Sequence, residues 1–412
     1  MILGFAISIF VARALGAEGK GEVAYFMLVF GIIVKFGHLG INESLPYFIK
    51  KTKYDNDSVI NNNFSFTLGL CLIYFLIILA LSKFGIIFNH FSIFVLIMGM
   101  SYVLFSYLES NLKMITVINE KFYIYNKYKV IAISLKLLLV LVLWLFGRLT
   151  ISNYIFLNIS IFFIPVILMQ IYFKFRFRLS IDFNIIQKQL AYGMKFFLST
   201  FFIYMTYKVD QIFIKNYLDI TNLGVYSIGV TLSELVFLIP HSITNPLRGK
   251  LYNTSINNLD KKKTTIKTTK YTIYISLFIA IIGFLLAPLI PFVYGPEFVD
   301  SIPVVRILFI GVVFATIGKV SSSYFFTEGK PEVHLKITFL AFLSNIILNI
   351  ILIPKFGING AAISSTISYA IFGFSYILVL LRDKGINFSD FFVIKKSELK
   401  SIVDFIKRRN KL

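Results

Sequence analysis

A single cysteine, a single tryptophan and only 20 acidic residues stand in a chain of 412, and each scarcity removes a class of explanation. Cys71 alone can form no intramolecular disulfide and no Cys-x-x-Cys motif, so thiol redox chemistry is excluded. The four histidines, His38, His90, His241 and His334, are scattered, with no His-Glu-x-x-His pattern and no carboxylates at ligand spacing, so no metal is expected. A phosphate-binding Gly-rich loop is missing too. Gly249-Lys250-Leu251 and Gly318-Lys319-Val320 lack both the preceding glycine and the following hydroxyl, which excludes a pump driven by its own ATPase. No nucleophile elbow is present, so an enzyme is not expected and no cofactor is implied. Charge is sparse as well: 15% of residues are charged, against about a quarter in soluble domains, and mean hydropathy is +0.80. This is the composition of an integral membrane protein.

What the chain has in quantity is long apolar runs. They exceed about 18 residues without strand alternation, which excludes an outer-membrane barrel in favour of helices. Between polar breaks, spans fall near 1 to 14, 23 to 46, 64 to 82, 86 to 110, 128 to 147, 151 to 173, 190 to 215, 223 to 247, 271 to 294, 301 to 326, 333 to 353 and 358 to 381. Twelve spans make an all-α polytopic membrane protein.

The formal net charge of +21 would suggest nucleic acid in a soluble chain, but here the charges follow topology. Connections after the even-numbered spans, with the C-terminal tail, hold 29 Lys and Arg, whereas those after odd spans hold six: Arg13, Lys20, Lys83, Arg148, Lys215 and Lys355. The positive-inside rule then puts the even connections and the C-terminus in the cytoplasm, and no nucleic-acid partner is expected.

An internal repeat supports the count. Ile9-Phe10-Val11, Leu15 and Gly21 match Ile212-Phe213-Ile214, Leu218 and Gly224, each at an offset of 203. The repeat predicts two parallel six-helix lobes, residues 1–180 and 181–382, followed by a basic cytoplasmic tail at 383–412. At that offset Met1 falls on Tyr204, well inside span 7, so the first helix is expected to be truncated. In the tail, Leu399, Ile402, Val403 and Ile406 recur at helical spacing among Lys395, Lys396, Lys400, Lys407, Arg408 and Arg409. That pattern fits either an interfacial helix on anionic lipid or a solvated basic tail.

The ionisable residues inside spans include Lys35, Glu43, Glu109, Lys136, Lys208, Asp210, Glu234, Arg306 and Lys319. Each costs about 2.5 to 3.5 kcal/mol at a helix centre facing lipid, so they should face an inner cavity or one another. Lys35, Lys208 and Lys319 are the candidates for a cationic cavity, which would attract a multiply charged anion such as a pyrophosphate. Lys136 and Arg306 either join it or snorkel to the interface. Asp210 and Glu234 either couple transport to an ion or form a salt bridge with a cavity lysine, and Glu109 is expected near water. Small residues at every fourth position of span 12 (Gly360, Ser364, Ser368) read as close packing. Pro240, well inside span 8, is the proline placed to matter for a moving lobe.

Five stretches, in order along nearly the whole chain, carry a resemblance: Ala12-Arg13-Ala14-Leu15-Gly16-Ala17-Glu18-Gly19-Lys20-Gly21, Leu223-Gly224-Val225-Tyr226-Ser227 running to Pro240, Tyr294-Gly295-Pro296-Glu297-Phe298, Gly329-Lys330-Pro331, and Pro354-Lys355-Phe356-Gly357-Ile358-Asn359-Gly360-Ala361-Ala362. They resemble the polysaccharide repeat-unit (O-antigen and capsule) flippases of the multidrug/oligosaccharidyl-lipid/polysaccharide exporter superfamily. The resemblance implies a flippase that carries undecaprenyl-pyrophosphate-linked oligosaccharide across the bacterial inner membrane by alternating access, with polysaccharide polymerase and chain-length machinery as partners. Arg13 matches the family's arginine at the end of the first helix, so the expected substrate set is Arg13, Lys35, Lys208, Arg306 and Lys319. Two other readings stay open. A cation-coupled drug or organic-cation antiporter of the same superfamily should show a carboxylate-dominated pocket. A non-transporting scaffold for polysaccharide assembly should depend on its basic tail.

Overall fold

The computed structural model describes residues 2–88, 91–252, 257–382 and 386–394, and among them every regular element is helical. Nine helical stretches among the described residues are long and apolar enough to cross a membrane; two of them are double, which gives eleven spans, and the helix that ends in the shorter apolar stretch Phe197–Thr206 makes the twelfth. The first long helix, Ile2–Phe36, is interrupted at Gly16, whose φ of 66° breaks the ladder between span 1 and span 2. Span 2 runs on through Ile41–Lys51. Spans 3 to 6 are Asn56–Lys83, Ile93–Ile118, Phe122–Leu145 and Ile151–Phe173. Span 7 is Phe183–Thr206 continued by Val209–Tyr217, and span 8 is Ile220–Ser233 continued by Leu238–Leu251. Span 9 is Asn258–Leu286, extended to Tyr294 by two short turns, and span 10 is Ser301–Thr327.

The last long helix, Pro331–Leu380, is two spans interrupted at Gly357 with φ of 57°. A Cβ on Gly360 would sit 2.1 Å from the Leu352 carbonyl, a contact that a straight helix forbids to residues eight positions apart. Spans 11 and 12 therefore form a hairpin, and the small-residue row of span 12 is the surface that lets it close. The basic amphipathic pattern at 399–409 lies outside the described residues.

Spans 3 and 9 begin several residues before their apolar runs. Asp55 accepts from the Ser58 N–H and Asn257 from the Asp260 N–H, so side-chain caps start both helices in polar sequence. Within the bilayer, broken helices need other partners for their backbone. Span 2 breaks at 37–40, where Leu39 and Gly40 take φ of 51° and 82°. Tyrosines bond the carbonyls around the break: Tyr74 donates to Gly37 O at 2.8 Å, and Tyr107 adds a bond at 2.6 Å to Ile33 O, which also accepts the Gly37 N–H. In span 8, Pro240 has no N–H to offer the carbonyl of Val236, and the helix tightens to a 3-10 turn over Glu234–Phe237 just before it.

The repeat has a structural counterpart. Helix starts at Ala17 and Ile220 are 203 residues apart, and Gly21 and Gly224 meet across the junction of the two halves. A Cβ on Gly21 would lie 1.8 Å from Ile220 O, and one on Gly224 would lie 1.9 Å from Ala17 O. Each half thus presents the same glycine to the same carbonyl of the other.

Two buried ions of the N-terminal half differ from expectation. Glu109, expected near water, is buried and paired with Lys129 at 2.5 Å. Lys136 does not snorkel: it is 3% exposed and donates to Asn158 Oδ1 at 2.6 Å, its ammonium over the Tyr154 ring. The low dielectric of the lobe interior makes a local partner better than a stretched route to the surface.

Candidate functional site

A cavity of about 790 Å³ opens between the halves, toward the side of the even connections. Span 2 contributes Lys35, Glu43 and Tyr47; span 7 contributes Tyr192, Tyr204 and Tyr207. Span 8 lays His241, Thr244, Arg248 and Tyr252 along one face, while Lys319, Ser322 and Phe326 come from span 10 and His334 from span 11. Three basic side chains, Lys35, Arg248 and Lys319, thus face one carboxylate, Glu43.

Lys319 faces the cavity from a bed of aromatic rings. Its ammonium lies 4.0 Å from the Phe237 ring centroid and 4.7 Å from that of Tyr207, and it makes no ion pair among the described residues. Aromatic faces hold a cation in place without neutralising it. Arg248 is held in the same way, 4.9 Å over Phe326. Lys35 is exposed and faces the cavity from the other half. At the mouth, Tyr47 of span 2 stacks on Tyr192 of span 7 at 4.3 Å, one ring from each half. Fixed cations between aromatic walls suit a ligand with phosphoryl groups.

The other expected site residues are distributed differently. Lys208 pairs with Glu234 at 3.4 Å, so these two carry a salt bridge between spans 7 and 8. Asp210 is 1% exposed and faces the interior of the C-terminal half, where it accepts hydrogen bonds from the Tyr226 hydroxyl, from Ser365 Oγ at 2.9 Å and from the Gln211 N–H at 2.8 Å. The network continues through Ser365 to Asn345 and Asn349, and Asn349 Oδ1 is buried with no hydrogen-bond partner.

Arg13 and Arg306 lie outside the cavity. Arg13 donates from Nε to Val293 O at 2.7 Å and from Nη2 to Phe292 O at 2.6 Å, in a recess of about 520 Å³ near the odd connections. Next to it, Glu297 accepts the Ala17 N–H at 2.7 Å. Two charges therefore tie helix ends of one half to those of the other, beside the paired glycines. Arg306 sits 4.9 Å over Phe284, away from any other site residue.

Arg248, His241 and His334 were not among the expected site residues, since Arg248 reads as a connection cation and the histidines as isolated. The signal that reveals His241 and Arg248 is the polar stripe at 241, 244, 248 and 252, which repeats at helical spacing on span 8; His334, on span 11, carries no such signal.

Comparison with known proteins adds context to this geometry. The family model described as polysaccharide biosynthesis protein matches residues 10–248, and the MatE model matches residues 196–351. The capsular polysaccharide biosynthesis protein CapF of Staphylococcus aureus is 27% identical over 177 residues, 41% of this chain and 43% of that protein. An uncharacterized membrane protein of Methanocaldococcus jannaschii is 35% identical over 83 residues, 20% of this chain and 16% of that one. The chain thus matches less than half the length of either curated relative. Among solved structures, an inward-facing multidrug resistance MATE family transporter has a TM-score of 0.72 at 16% identity, covering 92% of this chain and 93% of that one. The lipid II flippase MurJ, in an inward closed conformation, has a TM-score of 0.68 at 16% identity, covering 100% of this chain and 91% of that one. An outward-facing MATE transporter scores 0.59 at 14% identity, with 92% and 91% covered. The shared fold is that of the MATE and MurJ transporters.

Proposed function

Because the chain belongs to the polysaccharide biosynthesis protein family, we propose that it is a flippase that moves an undecaprenyl-pyrophosphate-linked oligosaccharide between the leaflets of the bacterial inner membrane. The observation that carries this reading is Lys319, an ammonium fixed against two aromatic rings inside a cavity, with no ion-pair partner among the described residues. In this reading Lys319 and Arg248 from one half and Lys35 from the other hold the pyrophosphate. The tyrosines at the mouth pack against sugar rings, and the isoprenoid tail stays in lipid.

Alternating access follows from rocking of residues 1–180 against 181–382, with the even connections in the cytoplasm. The contacts of Arg13, Glu297, Gly21 and Gly224 close the outer end while the cavity is open inward, so Arg13 serves the gate. A membrane potential negative inside favours outward passage of the anion by about 2.3 kcal/mol per charge per 100 mV. Asp210 is the better candidate for ion coupling, since Glu234 is already neutralised by Lys208. A buried carboxylate whose hydrogen-bond network ends in an unpartnered amide oxygen is a setting that a proton or sodium ion on the carboxylate would relieve. The unit delivered outside would pass to polysaccharide polymerase and chain-length machinery.

A binding measurement tests this reading. With the full chain in nanodiscs, Lys319→Ala should weaken binding of labelled undecaprenyl-pyrophosphate oligosaccharide by about 10- to 100-fold, the loss of one charge-assisted contact of about 1.5 to 3 kcal/mol. Arg306→Ala should leave it unchanged. Equal affinity of Lys319→Ala and wild type would overturn the reading. The MatE match over residues 196–351 favours one other function, organic-cation exchange. Displacement of the labelled lipid by an organic cation, with binding lost on Glu43→Gln, would establish that function in its place.

A further inference from the structure

The segment that joins the halves is built as a ribbon. After the left-handed turn at Lys174, residues 175–182 form no helix, and the N–H groups of 178, 180 and 182 point to one side as in an extended strand, which puts Phe175, Phe177, Leu179 and Ile181 on one face and Arg176, Arg178 and Ser180 on the other. Three N–H groups along one edge donate to the start of span 3: Arg178 N to Asn61 Oδ1 at 2.9 Å, Ser180 N to Ser65 Oγ at 2.8 Å and Asp182 N to Asn62 Oδ1 at 2.5 Å. Asp182 turns its carboxylate away to cap span 7 through the Asn184 and Ile185 N–H groups. The connection between the lobes is therefore pinned in place.

Its apolar face is only partly used. Phe177 packs on Phe64 at 4.5 Å, but Leu179, Ile181 and the following Phe183 remain 76%, 64% and 79% exposed. Ile181 and Phe183 border a groove of about 760 Å³ whose walls are Gly69 and Ile73 of span 3 and Leu190 and Met194 of span 7. That volume is in the range of about 300 to 1,000 Å³ typical of small-molecule sites. The groove runs between the two halves at the even end of the bilayer, and a Cβ on Gly69 would meet nothing within 4 Å. On the opposite face of the ribbon, Arg176 and Arg178 are exposed and form no ion pair among the described residues.

We propose that the groove and the ribbon bind one anionic phospholipid of the adjacent leaflet, with its acyl chain between spans 3 and 7 and its phosphate on Arg176 and Arg178. The apolar walls accept any acyl chain, so the selection for negative charge comes from the arginines. The groove takes one wall from each half, and the lipid is a wedge whose fit changes as the halves rock. This site lies on the face of span 7 that is turned away from the cavity, so it stands whether or not the flippase reading does.

Native mass spectrometry of the full chain, released from nanodiscs of equal phosphatidylglycerol and phosphatidylcholine, tests the proposal. Two basic side chains at about fivefold each give a preference for phosphatidylglycerol of about thirtyfold. R176Q/R178Q should abolish the preference while an uncharged lipid is still retained. Gly69→Leu should lose lipid of either kind, with Gly69→Ala retaining it as the control for folding. Equal retention of the two lipids by wild type would overturn the proposal. So would undiminished lipid on folded Gly69→Leu, or displacement of phosphatidylglycerol by equimolar undecaprenyl phosphate.

Discussion

Replacing Gly21 by alanine places a methyl group 1.8 Å from the Ile220 carbonyl oxygen, and real Cβ atoms keep at least 3.0 Å from such atoms. The carbonyl belongs to the backbone of a helix, so no rotamer change relieves the clash, and the halves must part at this point. Overpacking of this kind costs about 1 to 3 kcal/mol. The cost falls only on the state in which the odd ends touch, so the population of that state should drop by about 5- to 150-fold relative to the state in which they separate. Gly224→Ala, with its Cβ 1.9 Å from Ala17 O, should do the same from the other half. The assay is a spin-label distance between Arg148→Cys and Asp300→Cys, both exposed near the odd ends, in a background where the single native Cys71 is serine. Gly249→Ala, whose Cβ meets nothing within 4 Å, is the control. Both glycine variants should show a longer distance than wild type and control. A distribution unchanged in both, or shifted in opposite directions, would refute the symmetric contact as the gate.

Asp210→Asn should keep the fold, because an amide oxygen can still accept from Tyr226 and Ser365, but it should make transport insensitive to a sodium or proton gradient, read as flux with the gradient imposed and collapsed. Lys208→Met and Glu234→Leu should each impair transport more than the double variant does, with a coupling energy of about 1 kcal/mol in a double-mutant cycle, since each single change strands a half-buried charge. Glu109→Gln should destabilise the protein in thermal unfolding by about 3 kcal/mol, the low end for a broken buried pair because Lys129 keeps 22% of its side-chain exposure.

The spans were legible because insertion depends on local sums. Hydropathy and the bias of Lys and Arg to alternate connections each act within one helix and its flanks, so the twelve spans of the fold can be read without knowing their partners. The repeat marked Gly21 and Gly224 as equivalent, although their contact could only be seen once the halves were assembled. Pairings across spans were not legible. Glu109 finds Lys129 one helix later, and Lys208 finds Glu234 across a helix break at 207–208 that no proline or glycine announces. Of the expected cations, Lys35 and Lys319 face the cavity, Lys208 is paired, and Arg13 and Arg306 are elsewhere. Sequence locates an intramembrane charge along its helix, but the face it turns to a neighbour is set by packing. Arg248 was obscured for the same reason: counted as a loop cation, it lies on the stripe of span 8 that lines the cavity.

The most direct test of the central claim is leaflet translocation in proteoliposomes. With the full chain reconstituted and labelled undecaprenyl-pyrophosphate oligosaccharide in one leaflet, wild type should move the label to the other, and Lys319→Ala and Lys35→Ala should slow it by at least tenfold at wild-type protein levels. Label that stays in its original leaflet with wild type, or moves equally fast with both lysines removed, would contradict a flippase that works through a cationic cavity.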